Sequence, residues 1–84
     1  MMTRYLILCR SLTHAQRTQR LLERSGITAT VIKAEASLSP SGCRYAVTLA
    51  RHFDDALRIL RNNDMLKGKV YQKLDDGSYR EIPV

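Results

Sequence analysis

The sequence predicts an α+β fold: a ferredoxin-like split βαβ sandwich (β-α-β-β-α-β) with an additional C-terminal hairpin strand. Three features of the chain support this prediction. Residues 5–9 form a compact apolar run, which is typical of a central strand buried on both faces. Residues 53–60 carry apolar side chains at the spacing of an amphipathic helix. Residues 75–77, Asp-Asp-Gly, suit a tight turn between two short strands within residues 69–82.

The first helix is predicted to begin directly after the first strand. Ser11 and Thr13 are both candidate N-cap residues, because their hydroxyl groups can accept hydrogen bonds from the amides of a first helical turn. The helix is expected to run to about Ser25, and Gly26 stands where a left-handed residue would end it. The β-branched residues within 27–33 predict the second strand.

A loop is predicted between the second and third strands. Residues 35–43 contain three Ser, one Pro and one Gly, which is the composition of a loop, and residues 45–49 predict the third strand. The second helix is expected to end at residues 62–64, Asn-Asn-Asp. Because crossover connections are right-handed, the third strand is expected between the first and the second, antiparallel to both.

The chain length predicts a single domain, residues 1–84, with one core. A domain of this size buries only about 60–65% of the surface that its unfolded chain exposes, so association would add burial. The first strand is apolar at odd and even positions. The open face of the sheet would therefore present Tyr5 and Ile7, or Leu6 and Leu8, to water. For these two reasons we expect a homodimer.

Several classes of protein are disfavoured by the composition. The apolar runs are too short for a membrane span or a signal peptide, so we expect a cytoplasmic protein without membrane binding. The cysteines, Cys9 and Cys43, are then expected to be free thiols, and with His14 and His52 they do not make a zinc-ligand pattern. No complete catalytic constellation is present. We expect a protein without metal or organic cofactor that is not itself an enzyme.

The predicted topology brings two distant segments to one edge of the sheet. Residues 9–11, Cys-Arg-Ser, would lie beside residues 42–44, Gly-Cys-Arg, at the start of the first helix. A helix N-terminus carries about half a positive charge, and Arg10 and Arg44 would add full charges. These charges would favour the thiolate form of Cys43, which is the nucleophilic form.

The two cysteines are assigned different roles. Cys43 follows Gly42 in a polar loop near solvent and is the candidate nucleophile. Cys9 lies within an apolar strand and is interpreted as a small buried hydrophobe, with a role as a second thiol kept open. His14, near the helix start, is interpreted as a solvated side chain, and His52 is expected at the opposite edge of the sheet.

The net charge of +6 leaves other functions open. An RNA- or anion-binding module could stack bases on Tyr5 and Tyr45, although no RNA-recognition motif is present and nucleic acid is not favoured. Arg17, Arg20 and Arg24 form a stripe on the first helix, interpreted as its solvated face, which could also hold an acidic partner. A third hypothesis is a regulatory or interaction domain that dimerises.

Four short segments resemble the putative selenium/sulfur carrier-like domain family. The resemblance covers roughly residues 4–70, and its most specific element is the Ser-Gly-Cys loop together with the helix start. The segments are residues 8–15 (LCRSLTHA), 21–27 (LLERSGI), 38–43 (LSPSGC) and 55–60 (DALRIL).

The resemblance implies a thiol that relays sulfur or selenium, as a persulfide or selenopersulfide, between partner enzymes. On the matching positions Cys43 is the carrier and Gly42 its neighbour. Ser11, Thr13 and His14 match the helix-start element, for which the resemblance implies no particular catalytic role. The implied partners are proteins that donate and accept sulfur or selenium.

Overall fold

The computed structural model of the chain describes residues 4–35, 38, 44–66 and 68–83. These residues form two helices and five strands, in the α+β arrangement that the sequence predicts. In chain order the elements are β1 (Arg4–Cys9), α1 (Leu12–Arg24), β2 (Thr30–Lys33), β3 (Tyr45–Leu49), α2 (Phe53–Asn62), β4 (Val70–Lys73) and β5 (Tyr79–Ile82).

The five strands form one antiparallel sheet in the order β2-β3-β1-β4-β5. β3 lies between β1 and β2 and is antiparallel to both, as predicted. β4 pairs with the other side of β1, and β5 pairs with β4 at the edge. The C-terminal strand β5 therefore extends the sheet beyond β4. β1 is paired on both sides, in keeping with its unbroken apolar sequence.

Both helices contribute to one core cluster on the same face of the sheet, which we call the helix face. Its buried residues include Ile7, Val47 and Val70 from the strands, Leu22 from α1 and Leu60 from α2. All five side chains are almost completely shielded from water. Since fully burying such a side chain stabilises the fold by about 1.5–3 kcal/mol, this layer is the main core of the domain.

The opposite face of the sheet, which we call the second face, is also covered at its centre. Leu6 and Leu8 are only 3% and 2% exposed, because they form a cluster with Ala46 and with Leu38 from the segment between β2 and β3. The expectation that this face would present apolar β1 side chains to water is therefore wrong. The argument for a homodimer that rested on those side chains no longer applies.

The end of α1 has the form predicted from Gly26. This glycine has a φ of 85°, in the left-handed region. The Gly26 amide donates to the Glu23 carbonyl oxygen, and the Ile27 amide donates to that of Leu22, at 3.0 and 2.9 Å. This Schellman motif satisfies two carbonyl groups that a helix end would otherwise leave open.

β2 begins at Thr30, later than the predicted start at Ile27. The Ile27 amide is already engaged by the end of α1, and the Ala29 carbonyl oxygen accepts from the Gln19 side-chain amide at 2.9 Å. Residues 27–29 thus bond to α1 at both ends. Ile27 and Ala29 still bury their side chains on the helix face, which explains their strand-like sequence.

The predicted second helix is confirmed as α2. It ends at Asn62, and Asp64 then takes a left-handed φ of 54° while the Met65 amide donates to the Leu60 carbonyl oxygen at 2.8 Å. At its start, the Phe53 ring stacks on Tyr5 with centroids 3.9 Å apart. Within the described part of the chain, neither helix is long and apolar enough to traverse a bilayer.

Candidate functional site

The end of β1 and the start of β3 meet at one corner of the sheet. Cys9 and Tyr45 are the last pair of this ladder, so Arg10 follows the pair on one strand and Arg44 precedes it on the other. Both arginine side chains are exposed. The Arg44 carbonyl oxygen accepts from the Ala34 amide at 2.9 Å, which fixes the backbone where it enters β3. Two cationic residues that are 34 positions apart in sequence therefore flank the same strand ends.

The first turn of α1 starts at this corner. Ser11 is the N-cap: its Oγ accepts from the His14 amide at 3.1 Å, and its carbonyl oxygen accepts from the Ala15 amide at 3.0 Å. Thr13 lies inside the helix and is exposed, so Ser11 rather than Thr13 is the cap. No acidic residue stands in this turn. We call Arg10, Arg44 and this helix N-terminus the basic corner.

The start of α2 differs from that of α1 in the charge of its first turn. It lies at the opposite end of the sheet, because β3 runs from Tyr45 to Leu49, which pairs with Tyr5. His52 precedes the helix there, in a left-handed conformation and without a capping bond from its side chain, so its predicted location is confirmed. Asp54 and Asp55 occupy the first turn of α2. Of the two helices, α1 alone begins without a carboxylate to balance its dipole.

Gly42 and Cys43 lie outside the described residues. The segment that carries them is fixed at Arg44 and also at Leu38, which is 7% exposed on the second face. The Leu38 amide donates to the Glu35 carbonyl oxygen at 3.0 Å. The Leu38 carbonyl oxygen accepts from the Tyr71 hydroxyl at 3.3 Å.

Glu35 is held at the beginning of the same segment. The Tyr79 hydroxyl donates to Glu35 Oε1 at 3.3 Å. Burial raises the pKa of Tyr79, and the nearby Glu35 charge and hydrogen bond raise it further, so the hydroxyl keeps its proton and acts as the donor. β4 and β5 thus anchor the segment between β2 and β3 through one tyrosine each.

Sequence analysis missed these anchors. One residue could have indicated that this segment packs on the sheet. Leu38 is the only large aliphatic residue among the small and polar residues of 35–43. Tyr71 and Tyr79 could be placed on short strands, but their partners depend on strand order. Hydrogen bonds between residues 33 and 44 positions apart leave no local pattern in the sequence.

Cys9 has the buried position that was predicted. Its side chain is 0% exposed within the cluster on the helix face, and its Sγ donates a weak hydrogen bond to the Ile7 carbonyl oxygen at 3.5 Å. The structure therefore places Cys9 in the core on the helix face, in keeping with its interpretation as a small buried hydrophobe.

His14 is not the solvated side chain that was expected. It is half-buried, and its Nε2 lies 2.9 Å from the Met65 carbonyl oxygen, so Nε2 carries a proton and donates it. The Thr18 hydroxyl donates to the His14 carbonyl oxygen at 2.9 Å. His14 therefore joins the first turn of α1 to the segment after α2. This bond helps to hold the start of α1 in place.

The aromatic residues proposed for base stacking do not lie on an open surface. Tyr5 and Tyr45 both pack against the cluster on the helix face, and Tyr5 is covered by Phe53. Base stacking by an RNA-recognition sheet requires aromatic rings on the face away from the helices. The hypothesis of nucleic-acid binding through these two rings is therefore wrong.

In the described ranges, no group of three or more His, Cys, Asp or Glu side chains could hold a metal ion.

Comparison with known proteins identifies the family of the chain. A family model described as "Putative Se/S carrier protein-like" matches residues 4–72, from the start of β1 into β4. No curated protein and no solved structure matches the chain. The family match includes Arg10, Arg44 and the whole segment between β2 and β3. The chain therefore belongs to the Se/S carrier protein-like family.

Proposed function

We propose that this protein is a carrier that relays sulfur or selenium between partner enzymes on the thiolate of Cys43. The observation that supports this most strongly is the basic corner. Cys43 is the residue directly before Arg44, whose backbone is fixed at the strand ends beside Arg10 and the N-terminus of α1. The family match supports the cargo, since its description names selenium and sulfur.

The proposed transfer is a thiol–disulfide-type exchange. Cys43 loses its proton to solvent, and the thiolate attacks the terminal sulfur of a persulfide on the donor protein. A new S–S bond forms at Cys43 while the donor S–S bond breaks, and the donor cysteine leaves as a thiolate that takes up a proton. The sulfane sulfur keeps its oxidation state, so no oxidant or reductant is needed. A thiolate of the acceptor protein then attacks the outer sulfur, so that a new S–S bond forms on the acceptor, the S–S bond at Cys43 breaks, and Cys43 leaves as a thiolate.

The basic corner would serve both anions of this cycle. A thiolate and a persulfide anion each carry one negative charge, and each is stabilised by nearby cations and by a helix N-terminus. Ser11 and His14 would act indirectly, because they hold the first turn of α1 in place. No bound metal or organic cofactor enters the proposal, and the partner enzymes would supply the remaining chemistry in the cytoplasm.

The ferredoxin-like description of the fold is part of this proposal. The antiparallel order β2-β3-β1-β4 and the single layer formed by α1 and α2 support it. In that arrangement the ends of β1 and β3 and the start of α1 share one edge, which is where the carrier thiol would operate.

The proposal predicts that a cysteine desulfurase with free cysteine will load this protein with sulfur. Intact-mass spectrometry should show the mass of one added sulfur atom on the wild type, and the addition should disappear on treatment with a reducing thiol. Cys43→Ser should abolish the loading, because the serine hydroxyl is not a nucleophile toward a persulfide.

Cys9→Ala is the matched control. It removes the other thiol, which the structure places in the core, and should leave the loading intact. Because this change also removes buried volume, its folding should be verified by circular dichroism at the loading temperature. Undiminished loading of Cys43→Ser would exclude Cys43 as the carrier.

A further inference from the structure

A groove runs along the outer side of α1 where it meets the segment that follows α2. Its volume is about 630 Å³. Four of its residues, Arg17, Arg20, Leu21 and Arg24, stand at i, i+3, i+4 and i+7 and therefore share one side of α1. Met65 borders the groove from the other side. We call this surface the arginine groove.

The floor and the rim of the arginine groove differ in character. Leu21 and Met65 are half-buried, and both pack against the cluster on the helix face, so they form an apolar floor. Arg17, Arg20 and Arg24 are exposed around this floor. None of the three is engaged by an ion pair or side-chain hydrogen bond within the described part of the chain. By contrast, Arg58 on α2 is bonded to Asp55 at 2.9 Å.

We infer that the arginine groove is a docking surface for an acidic amphipathic helix of a partner protein. From Arg17 to Arg24 the arginines cover two helical turns, about 10 Å along the axis of α1. Carboxylates on one side of a partner helix, at i, i+4 and i+7, span the same length. Each guanidinium can bind a carboxylate through two parallel hydrogen bonds.

The apolar floor is what distinguishes this surface from a basic patch. Exposed ion pairs contribute little individually, so a charged rim alone would bind weakly and lose its affinity in salt. A leucine between the partner's carboxylates would cover Leu21 and Met65 and add burial that is independent of charge. Binding would then combine electrostatic steering with a small hydrophobic centre.

The same composition favours a protein over nucleic acid as the occupant. Among the described residues that line the arginine groove there is no aromatic ring, whereas single-stranded nucleic acids are bound by stacking on such rings. Glu23 also borders the groove and would repel a phosphate backbone. On a partner helix, the same carboxylate could pair with a basic residue beside the acidic row.

The test uses the full chain in a Cys43→Ser background, so that it does not depend on the proposed carrier chemistry. The probe is a fluorescein-labelled synthetic helix with Glu at i, i+4 and i+7 and Leu at i+3, and the readout is anisotropy. Arg20→Glu with Arg24→Glu should weaken binding by at least about tenfold. Met65→Ser should weaken it without any change in charge.

The control variant replaces two exposed arginines elsewhere on the surface, Arg51→Glu and Arg80→Glu, and so makes the same change in net charge. It should change the dissociation constant of the peptide by less than about threefold. Circular dichroism melts verify that each variant is folded. Equal weakening by the control pair would overturn the assignment, because the peptide would then be attracted by the net positive charge of the protein and not by the arginine groove. Tighter binding of an oligouridine probe that also needs Arg20 and Arg24 would overturn the choice of a protein helix. Absence of peptide binding at low salt would overturn it as well.

Discussion

Gly68→Ala is expected to destabilise the protein by about 3 kcal/mol, the upper end of the usual cost of overpacking. A Cβ at this position would overlap the backbone carbonyl oxygen of Leu8, which lies in the central strand. The neighbouring Leu8 amide donates to the Lys69 carbonyl oxygen at 2.9 Å, so the chain cannot move away without disturbing this bond. For a domain of 84 residues the total free energy of unfolding is about 4–12 kcal/mol. A loss of this size would therefore shift the midpoint of urea denaturation to a much lower urea concentration.

Gly77→Ala separates this steric effect from the conformational cost of replacing a glycine. Gly77 has a φ of 89° in the β4–β5 turn, and an added Cβ there would meet nothing within 4 Å. The expected cost is about 1 kcal/mol, which is that of a left-handed alanine. Equal stability losses for the two variants would show that the close approach of Gly68 to β1 is not present in solution.

Leu38→Ala is expected to cost about 2–4 kcal/mol and to open the second face of the sheet. Leu38 is 7% exposed and forms one cluster with Leu6, Leu8 and Ala46. Its loss would leave a cavity over the two leucines of β1 and would weaken the attachment of the segment that carries Cys43. Urea denaturation measures the cost, and increased binding of a hydrophobic dye would report the exposed leucines.

Leu74→Ala is the matched control for that measurement. Leu74 is 37% exposed near the β4–β5 turn, and its truncation should change the free energy of unfolding by less than about 0.5 kcal/mol. If Leu38→Ala proves as mild as Leu74→Ala, then Leu38 does not close the second face. The reason to expect exposed apolar β1 side chains, and with it a homodimer, would then return.

The elements of the fold could be predicted because their signals are local. The spacing in α2, the apolar run in β1 and Gly26 after α1 each depend on residues within one or two turns, and all three are confirmed. The position of β3 between β1 and β2 followed from the handedness of crossover connections. The start of β2 was placed too early at Ile27, because α1 engages residues that have strand propensity.

The errors concern contacts between distant segments. The side of β1 that faces the helices could not be predicted, because every residue from Tyr5 to Cys9 is apolar. Stacking of bases on Tyr5 and Tyr45 therefore stayed a possible function at the level of sequence. The hydrogen bond from His14 to Met65 joins residues 51 positions apart, and no local sequence pattern predicts it. The closure of the second face by Leu38 depends in the same way on the final path of the chain.

The basic corner was predictable in outline. Arg10 and Arg44 were expected to approach each other once the order of β1 and β3 was fixed, and the register of the sheet brings them to the same strand ends. Of the two helices in the described part of the chain, α2 begins with Asp54 and Asp55, whereas the first turn of α1 has no acidic residue.

The central claim is tested most directly by the rate of Cys43 alkylation against pH in the Cys9→Ala protein. The proposal that the Cys43 thiolate is stabilised by the basic corner predicts a midpoint below about pH 7.5. Replacing both arginines by Gln should move that midpoint upward. A midpoint at or above about pH 8.5 in the Cys9→Ala protein, unmoved by the two Gln substitutions, would contradict an activated carrier thiol at this corner.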